Sequence, residues 1–197
     1  VTNPGGIDFE TLTVNSQGTY FAGDHVVTVG ANYEKEELAD GTTNQKADMA
    51  GKITTMDRYQ WSLFAEDTWS VTDKLALTFS GRYDENEYFG DNFSPKAYAV
   101  YNATENLILK GGVISGYKAP SLRNSSPQYM LNSMGGAIMP NPNLKPETTL
   151  TYETGFAFTF ADVDMSLMIY QTDFKDKITR SSRVAGSRAP TAAEGGK

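Results

Sequence analysis

Cysteine is absent from the 197 residues. That excludes disulfide staples and cysteine-ligated metal centres. Histidine is nearly absent, with His25 alone, so no histidine cluster at metal-ligand spacing exists. Positive charge is short: 17 Lys and Arg stand against 24 Asp and Glu, a net charge of −7. Nothing in that balance asks for nucleic acid as a partner. No apolar run reaches the roughly 18 residues that would suggest a membrane-spanning helix. No signal peptide is visible at Val1, and a secreted β-protein should have had one, so the chain reads as mature or cut. No nucleophile elbow, Cys–His pair or phosphate-cradling glycine loop is present, so the expectation is that it is not an enzyme. Helical periodicity is nowhere sustained. The mean hydropathy of −0.44 is low. That figure does not exclude a membrane, because a barrel strand alternates lipid-facing and lumen-facing residues.

What the chain has is period two. Over 58–71, Tyr59, Trp61, Leu63, Ala65 and Trp69 fall on one face and Gln60, Ser62, Glu66 and Thr68 on the other. Asp67 breaks the apolar face and Phe64 the polar one. The same alternation predicts strands over 7–16, 25–34, 75–84, 93–102, 107–117, 148–160 and 163–174. Each is about the 9–11 residues that cross a bilayer at a slant. Eleven Tyr suit the aromatic girdles of such a wall. The connections alternate in length. Short ones are expected near 18–24, 72–74, 103–106 and 161–162; long ones near 35–57, 85–92, 118–147 and after 175. Short turns on one side and long loops on the other describe an outer-membrane barrel. A thirty-residue loop counts against a compact soluble domain. The fold class expected is therefore all-β, a transmembrane antiparallel β-barrel with about eight strands in this chain. The stretch 180–197, rich in Ser, Ala, Gly and Arg, reads as a loop without regular structure. The glycine pair Gly111-Gly112 inside a strand marks a kink or a close backbone approach.

Certain residues then point to a family. Phe64-Ala65-Glu66-Asp67, Trp69, Thr72-Asp73-Lys74-Leu75 and Gly81-Arg82-Tyr83-Asp84 resemble mid-barrel strands of TonB-dependent outer-membrane receptors. Gly116-Tyr117-Lys118-Ala119-Pro120 and Asn141-Pro142-Asn143-Leu144-Lys145-Pro146-Glu147 resemble the paired motifs that flank one large extracellular loop, 118–147 here. Asp173-Phe174-Lys175-Asp176-Lys177-Ile178 is similar to the strand end that follows. The segment Tyr117 to Leu122, followed by Pro127-Gln128-Tyr129-Met130-Leu131, is most similar to ferric catecholate receptors, those for enterobactin and colicin I.

The resemblance implies a 22-stranded barrel with a plug domain and a short box that binds TonB. Neither plug nor box is seen in this sequence, and it ends in Gly-Gly-Lys rather than an aromatic residue. Residues 1–197 are therefore expected to be an internal part of the barrel domain, roughly a third of it. The alternative is eight strands that close on themselves. The implied setting is the bacterial outer membrane with its lipid and lipopolysaccharide. The implied function is TonB-energised import of a ferric siderophore, the transported ligand, with no covalently bound cofactor. Colicins or phage proteins are further implied partners. A passive porin-like channel, a receptor for heme or another nutrient, and a soluble β-barrel binder stay open.

A trianionic aromatic iron chelate calls for Arg and Lys for charge and for aromatic rings for stacking. The candidates are Arg123 and Tyr129, then Arg82 and Lys118, with Gln128 and Tyr88 beside them. Arg82 and Lys118 suit pairing with wall or plug carboxylates equally well, and Tyr129 suits packing within the loop. Heme receptors of the family carry a histidine between the two motifs. Residues 121–140 contain none, and His25 sits by a short turn on the opposite side, so it reads as structural. The acidic groups Asp84, Glu85, Glu87 and Asp91 offer hard oxygen ligands for Ca²⁺, but without an EF-hand pattern they read as a solvated loop. The run 34–40 reads the same way. Pro120, Pro140, Pro142 and Pro146 shape the loop, and Glu147 and Glu153 are expected to bond within the wall.

Overall fold

Alternation needs a backbone that turns its side chains over at every residue, and eight long strands supply it. The computed structural model describes residues 6–41, 53–122, 131–133, 136–139, 141, 143–180 and 191–196. The strands are β1 (Ile7–Ala22), β2 (His25–Asp40), β3 (Thr54–Thr72), β4 (Leu75–Asn86), β5 (Gly90–Thr104), β6 (Leu107–Lys118), β7 (Leu131–Ser133), β8 (Gly136–Met139), β9 (Glu147–Phe160), β10 (Val163–Lys175), β11 (Lys177–Arg180) and β12 (Thr191–Gly196). The main sheet has eight strands in the order β1-β2-β3-β4-β5-β6-β9-β10. Every pairing in it is antiparallel. β1 and β10 do not pair, so the sheet is an open wall rather than a barrel closed on eight strands.

All eight predicted strands are present, and they run longer than the alternation indicated. β1 and β2 have 16 residues each and β3 has 19. At about 3.3 Å per residue, such strands overshoot a hydrocarbon core of ~30 Å. In β1 the added residues, 17–22, run to the short turn, whereas in β2 and β3 most of the excess lies on the side of the long connections. There both faces leave lipid, so apolar and polar residues no longer alternate. The expected long connection at 85–92 is therefore corrected: β4 and β5 pair up to Asn86↔Gly90, and only 87–89 turn. The other edge carries two-residue turns at 23–24, 73–74, 105–106 and 161–162. Gly23 opens the first with φ 59°, a left-handed conformation that glycine takes at no steric cost. Register shifts beside two of these turns, at Ser70/Thr72 and Asn102/Thr104, are bulges of the sort that gather at barrel rims.

Two further expectations are corrected. The loop 118–147 contains β7 and β8, and the stretch 180–197 contains β12. With β11 these form a second, four-stranded sheet in the order β11-β12-β8-β7. Strands of three to six residues are too short for alternation to reveal. The β12–β8 pairing is parallel, so it joins segments far apart in sequence.

Register assigns the faces. Leu63 lies opposite Ala31 and Tyr83, Trp61 opposite Tyr33, and Tyr83 opposite Phe93. This face stays apolar from β1 to β10, and large residues on it stand open, Leu63 at 53% and Phe79 at 50% exposure. One sheet buries neither face by itself, and an apolar surface of this extent marks contact with lipid. Tyr20, Trp69 and Tyr101 edge the face near the short turns; Tyr33, Trp61 and Tyr83 edge it near the long connections. Trp61 and Tyr83 rings meet at 5.6 Å. The opposite face carries Asn32, Gln60, Ser62, Glu66, Thr78, Ser80 and Lys96, as a polar lumen requires. Threonine pairs cross it at Thr19–Thr28, Thr68–Thr78 and Thr151–Thr172.

The two exceptions to alternation have local causes. Asp67 on the apolar face is hydrogen-bonded through Oδ2 to His25 Nδ1 at 2.8 Å, and the His25 ring stacks on Trp69 at 5.5 Å. His25 is thus held within the wall. Phe64 on the polar face lies across Gly30, where an added Cβ would meet its ring at 2.4 Å. An aromatic ring here covers the gap a strand glycine leaves. Gly112 repeats the device: a Cβ there would sit 2.4 Å from Tyr98 Cδ2 and 2.5 Å from the Ala97 carbonyl oxygen. The close approach expected of the glycine pair is present.

Candidate functional site

The inner face changes character where β2 and β3 rise toward the long connections. Leu38 and Met56 are paired across β2 and β3, and with Leu122 they make the one hydrophobic cluster among the described residues. Leu122 comes from the far side of β4 and β5, beyond the end of β6. Residues 119–122 therefore cross inward over the mouth and seat on the β2–β3 wall. Pro120 is fully buried.

Arg58 holds this crossing. It is 7% exposed. Its Nη1 donates to the Pro120 carbonyl oxygen and its Nη2 to Glu36 Oε2 on the neighbouring strand. Two charge-assisted bonds let a guanidinium sit buried without an unmatched charge. A polar shelf adjoins it on the same face. Arg82 Nε donates to Asp84 Oδ1 at 2.9 Å. Gln60 Nε2 donates to the same oxygen at 3.4 Å, and Asn86 Nδ2 donates to Gln60 Oε1 at 2.9 Å. Asp84, Asn86 and Ser62 are buried. The shelf is rigid because each member fixes the next.

The far end of the large connection is also built. Asn143 N donates to Asn141 Oδ1 at 2.9 Å and Leu144 N to the Asn141 carbonyl at 3.2 Å, an Asx turn laid over a β-turn. Leu144 is buried at 5% exposure and anchors it. Glu147 Oε1 then accepts the Ile178 amide at 2.6 Å, tying β9 to β11. The motif Asn141 to Glu147 is thus a turn and an anchor that lead into β9.

The sequence-predicted residues fall at separate levels. Arg82 is on the inner face of β4, its Nε on Asp84 and its side chain 41% exposed. Lys118 ends β6 opposite Glu147, exposed to solvent. Tyr88 is at the tip of the β4–β5 hairpin, where its hydroxyl donates to the Asp57 carbonyl and Glu87 Oε2 accepts the Tyr59 amide at 3.1 Å. That hydroxyl braces the tip against β3. Its pKa lies above the ordinary tyrosine value, chiefly through burial, then through the charges of Glu87 and Asp57. Arg123, Gln128 and Tyr129 lie outside the described residues. The Ca²⁺ patch is divided by the pleat: Asp84 points inward, while Glu85 accepts the Tyr83 hydroxyl on the other face at 2.9 Å. No group of three metal-holding side chains occurs among the described residues.

Sequence reasoning missed Arg58 and Glu36. Arg58 opened a predicted strand while Glu36 fell in the predicted connection at 35–57, and only the register that sets Glu36 opposite Arg58 brings them together. An arginine beside Met56 on a face otherwise polar was the available signal.

Comparison with known proteins decides the family. The sequence matches the family described as TonB dependent receptor-like, beta-barrel, over residues 2–195. The chain belongs to that family. It is similar, at 38% identity over 159 residues, to the iron-regulated outer membrane virulence protein of Vibrio cholerae, covering 80% of this chain and 24% of that one. It is 29% identical over 174 residues to the ferric enterobactin receptor of Pseudomonas aeruginosa, covering 79% of this chain and 23% of the relative. Among solved structures, a mutant of the ferric enterobactin receptor from Pseudomonas aeruginosa in complex with enterobactin overlays with a TM-score of 0.82 at 25% identity, covering 96% of this chain and 32% of that one. The siderophore receptor PirA from Acinetobacter baumannii overlays with a TM-score of 0.77 at 26% identity, over 91% and 29% of the two chains. The chain spans about a quarter of the length of the curated relatives it matches. It forms part of the wall of a TonB-dependent receptor barrel in the outer membrane.

Proposed function

We propose that this segment belongs to a receptor that captures a ferric siderophore of catecholate type at the extracellular mouth and imports it with energy delivered through TonB. The supporting observation is the inward crossing at 119–122, which seats the start of the large connection above a polar shelf carrying Arg82. Relatives named as ferric enterobactin receptors support the catecholate class. The Arg82 Nε bond to Asp84 fixes one edge of its guanidinium, which leaves the terminal nitrogens to face an anionic ligand. Lys118 is exposed where β6 ends, and Arg123, Tyr129 and Gln128, which lie outside the described residues, join the proposed surface on the strength of the sequence. The absence of histidine from residues 121–140 sets this reading apart from heme import. The intact receptor carrying this segment, purified in detergent, tests it by equilibrium binding of ferric enterobactin, a ferric hydroxamate chelate and heme. Saturable binding of the catecholate that the other two do not displace is expected. Preference for heme or hydroxamate would overturn the ligand class.

A further inference from the structure

The first residues of the large connection, 119–122, are docked on the wall, and one buried side chain makes the polar part of that docking. Arg58 is too buried to meet a ligand itself. Both bonds it makes are internal: one to Glu36 on β2 and one to the carbonyl of Pro120 in the inward-crossing segment. The Pro120 carbonyl has no amide of a sheet neighbour to bond, because β6 ends at Lys118. Pro120 also has no N–H of its own to satisfy and biases Ala119 toward extended backbone. Leu122, two residues on, packs with Leu38 and Met56 on the same two strands that carry Glu36 and Arg58. A polar pin and an apolar plug thus fix four residues in place, immediately before Arg123.

We propose that Arg58, oriented by Glu36, is a positioning residue for ligand capture. By pinning the Pro120 carbonyl it seats residues 119–122, from which the large connection continues. The inference rests on the siderophore-receptor reading only for the identity of the ligand; the docking itself is independent of it. Lysine cannot replace Arg58 fully, since a single ammonium does not reproduce a planar fork that reaches two acceptors on different elements.

The test uses the intact receptor in outer membranes, with ferric enterobactin as the probe and trypsin as a ligand-free reporter. Lys118 precedes the docked segment and is exposed, so cleavage after it reads whether 119–122 is seated. Arg58→Ala is expected to speed that cleavage and to weaken ferric enterobactin binding about tenfold, the loss of one strong bond. Arg58→Lys falls between, and Leu122→Ala, which loosens the same segment from its apolar side, gives the same two effects. The double variant Arg58→Ala with Leu122→Ala is no worse than its worse parent, because both act through one docking. Heat-modifiable mobility confirms that each barrel is folded. Should Arg58→Ala not fold, Glu36→Gln carries the test, with faster cleavage and weaker binding again expected. Unchanged cleavage and affinity in folded variants, or strictly additive losses in the double variant, would overturn the proposal. Failure of the wild type to bind the probe, with cleavage still accelerated in Arg58→Ala, would overturn the ligand class and leave the docking in place.

Discussion

Replacing Gly112 by alanine tests whether strand glycines here mark close backbone approach. A Cβ at Gly112 meets Tyr98 Cδ2 at 2.4 Å, the Ala97 carbonyl oxygen at 2.5 Å and Tyr98 Cα at 3.0 Å. The Tyr98 ring can rotate away. The Ala97 carbonyl and Tyr98 Cα are backbone of the β5–β6 ladder and cannot move without parting the strands. They sit near its end, where Lys96↔Ile114 is the last pair, so the strain falls on the three terminal pairs of that ladder. Overpacking of this kind costs about 1–3 kcal/mol, which lowers the folded-to-unfolded ratio roughly five- to 150-fold. Gly18→Ala is the control, since nothing lies within 4 Å of a Cβ built there. Denaturant unfolding of the intact receptor, followed by heat-modifiable gel mobility, should show a clear drop in midpoint for Gly112→Ala. Gly18→Ala should move it by no more than about 0.5 kcal/mol. Equal midpoints for the two variants would refute the reasoning.

The face assignment predicts that Leu63→Arg destabilises the inserted barrel by about 2–4 kcal/mol while Ser80→Arg on the inner face costs far less; folding titrations into vesicles separate the two. His25→Ala strands Asp67 on the lipid-facing wall and should cost roughly 1–2 kcal/mol, and adding Asp67→Leu should recover most of it in the same titration. Tyr88→Phe removes the donor to the Asp57 carbonyl and should speed amide exchange at the β4–β5 tip. Because the Tyr88 pKa is raised in the folded state, its contribution is whole below about pH 10 and is lost as the pH climbs through the raised value; exchange in the wild-type tip should accelerate over that range.

The eight wall strands were legible because within the bilayer each face meets a single solvent, so alternation survives residue by residue. Leu63 and Ser62 could be told apart from sequence for that reason. Beyond the bilayer both faces are wet, and the signal fades. The continuation of β2 through Glu34, Glu36 and Glu37 therefore looked like a charged loop, as did the rise of β4 through Glu85 and Asn86. The short strands β7, β8, β11 and β12 depend on pairings between distant segments, which no local pattern encodes. Arg82 was placed on the correct face by alternation alone. Arg58 was not legible as a docking residue, because its two partners lie on β2 and after β6 and meet it only in the folded wall. The flanking motifs were recognisable as signatures. Their physical content, a buried Pro120 and an Asx turn anchored by Leu144, emerges only in the folded chain.

Energised import of a ferric catecholate is the function proposed for the intact receptor. It is tested most directly by uptake of radio-iron as ferric enterobactin into cells whose only siderophore receptor is the intact protein bearing this segment. Saturable uptake that stops when the inner-membrane proton gradient is collapsed or TonB is removed is the predicted result. Uptake that continues undiminished without either would point to a passive channel and contradict the account.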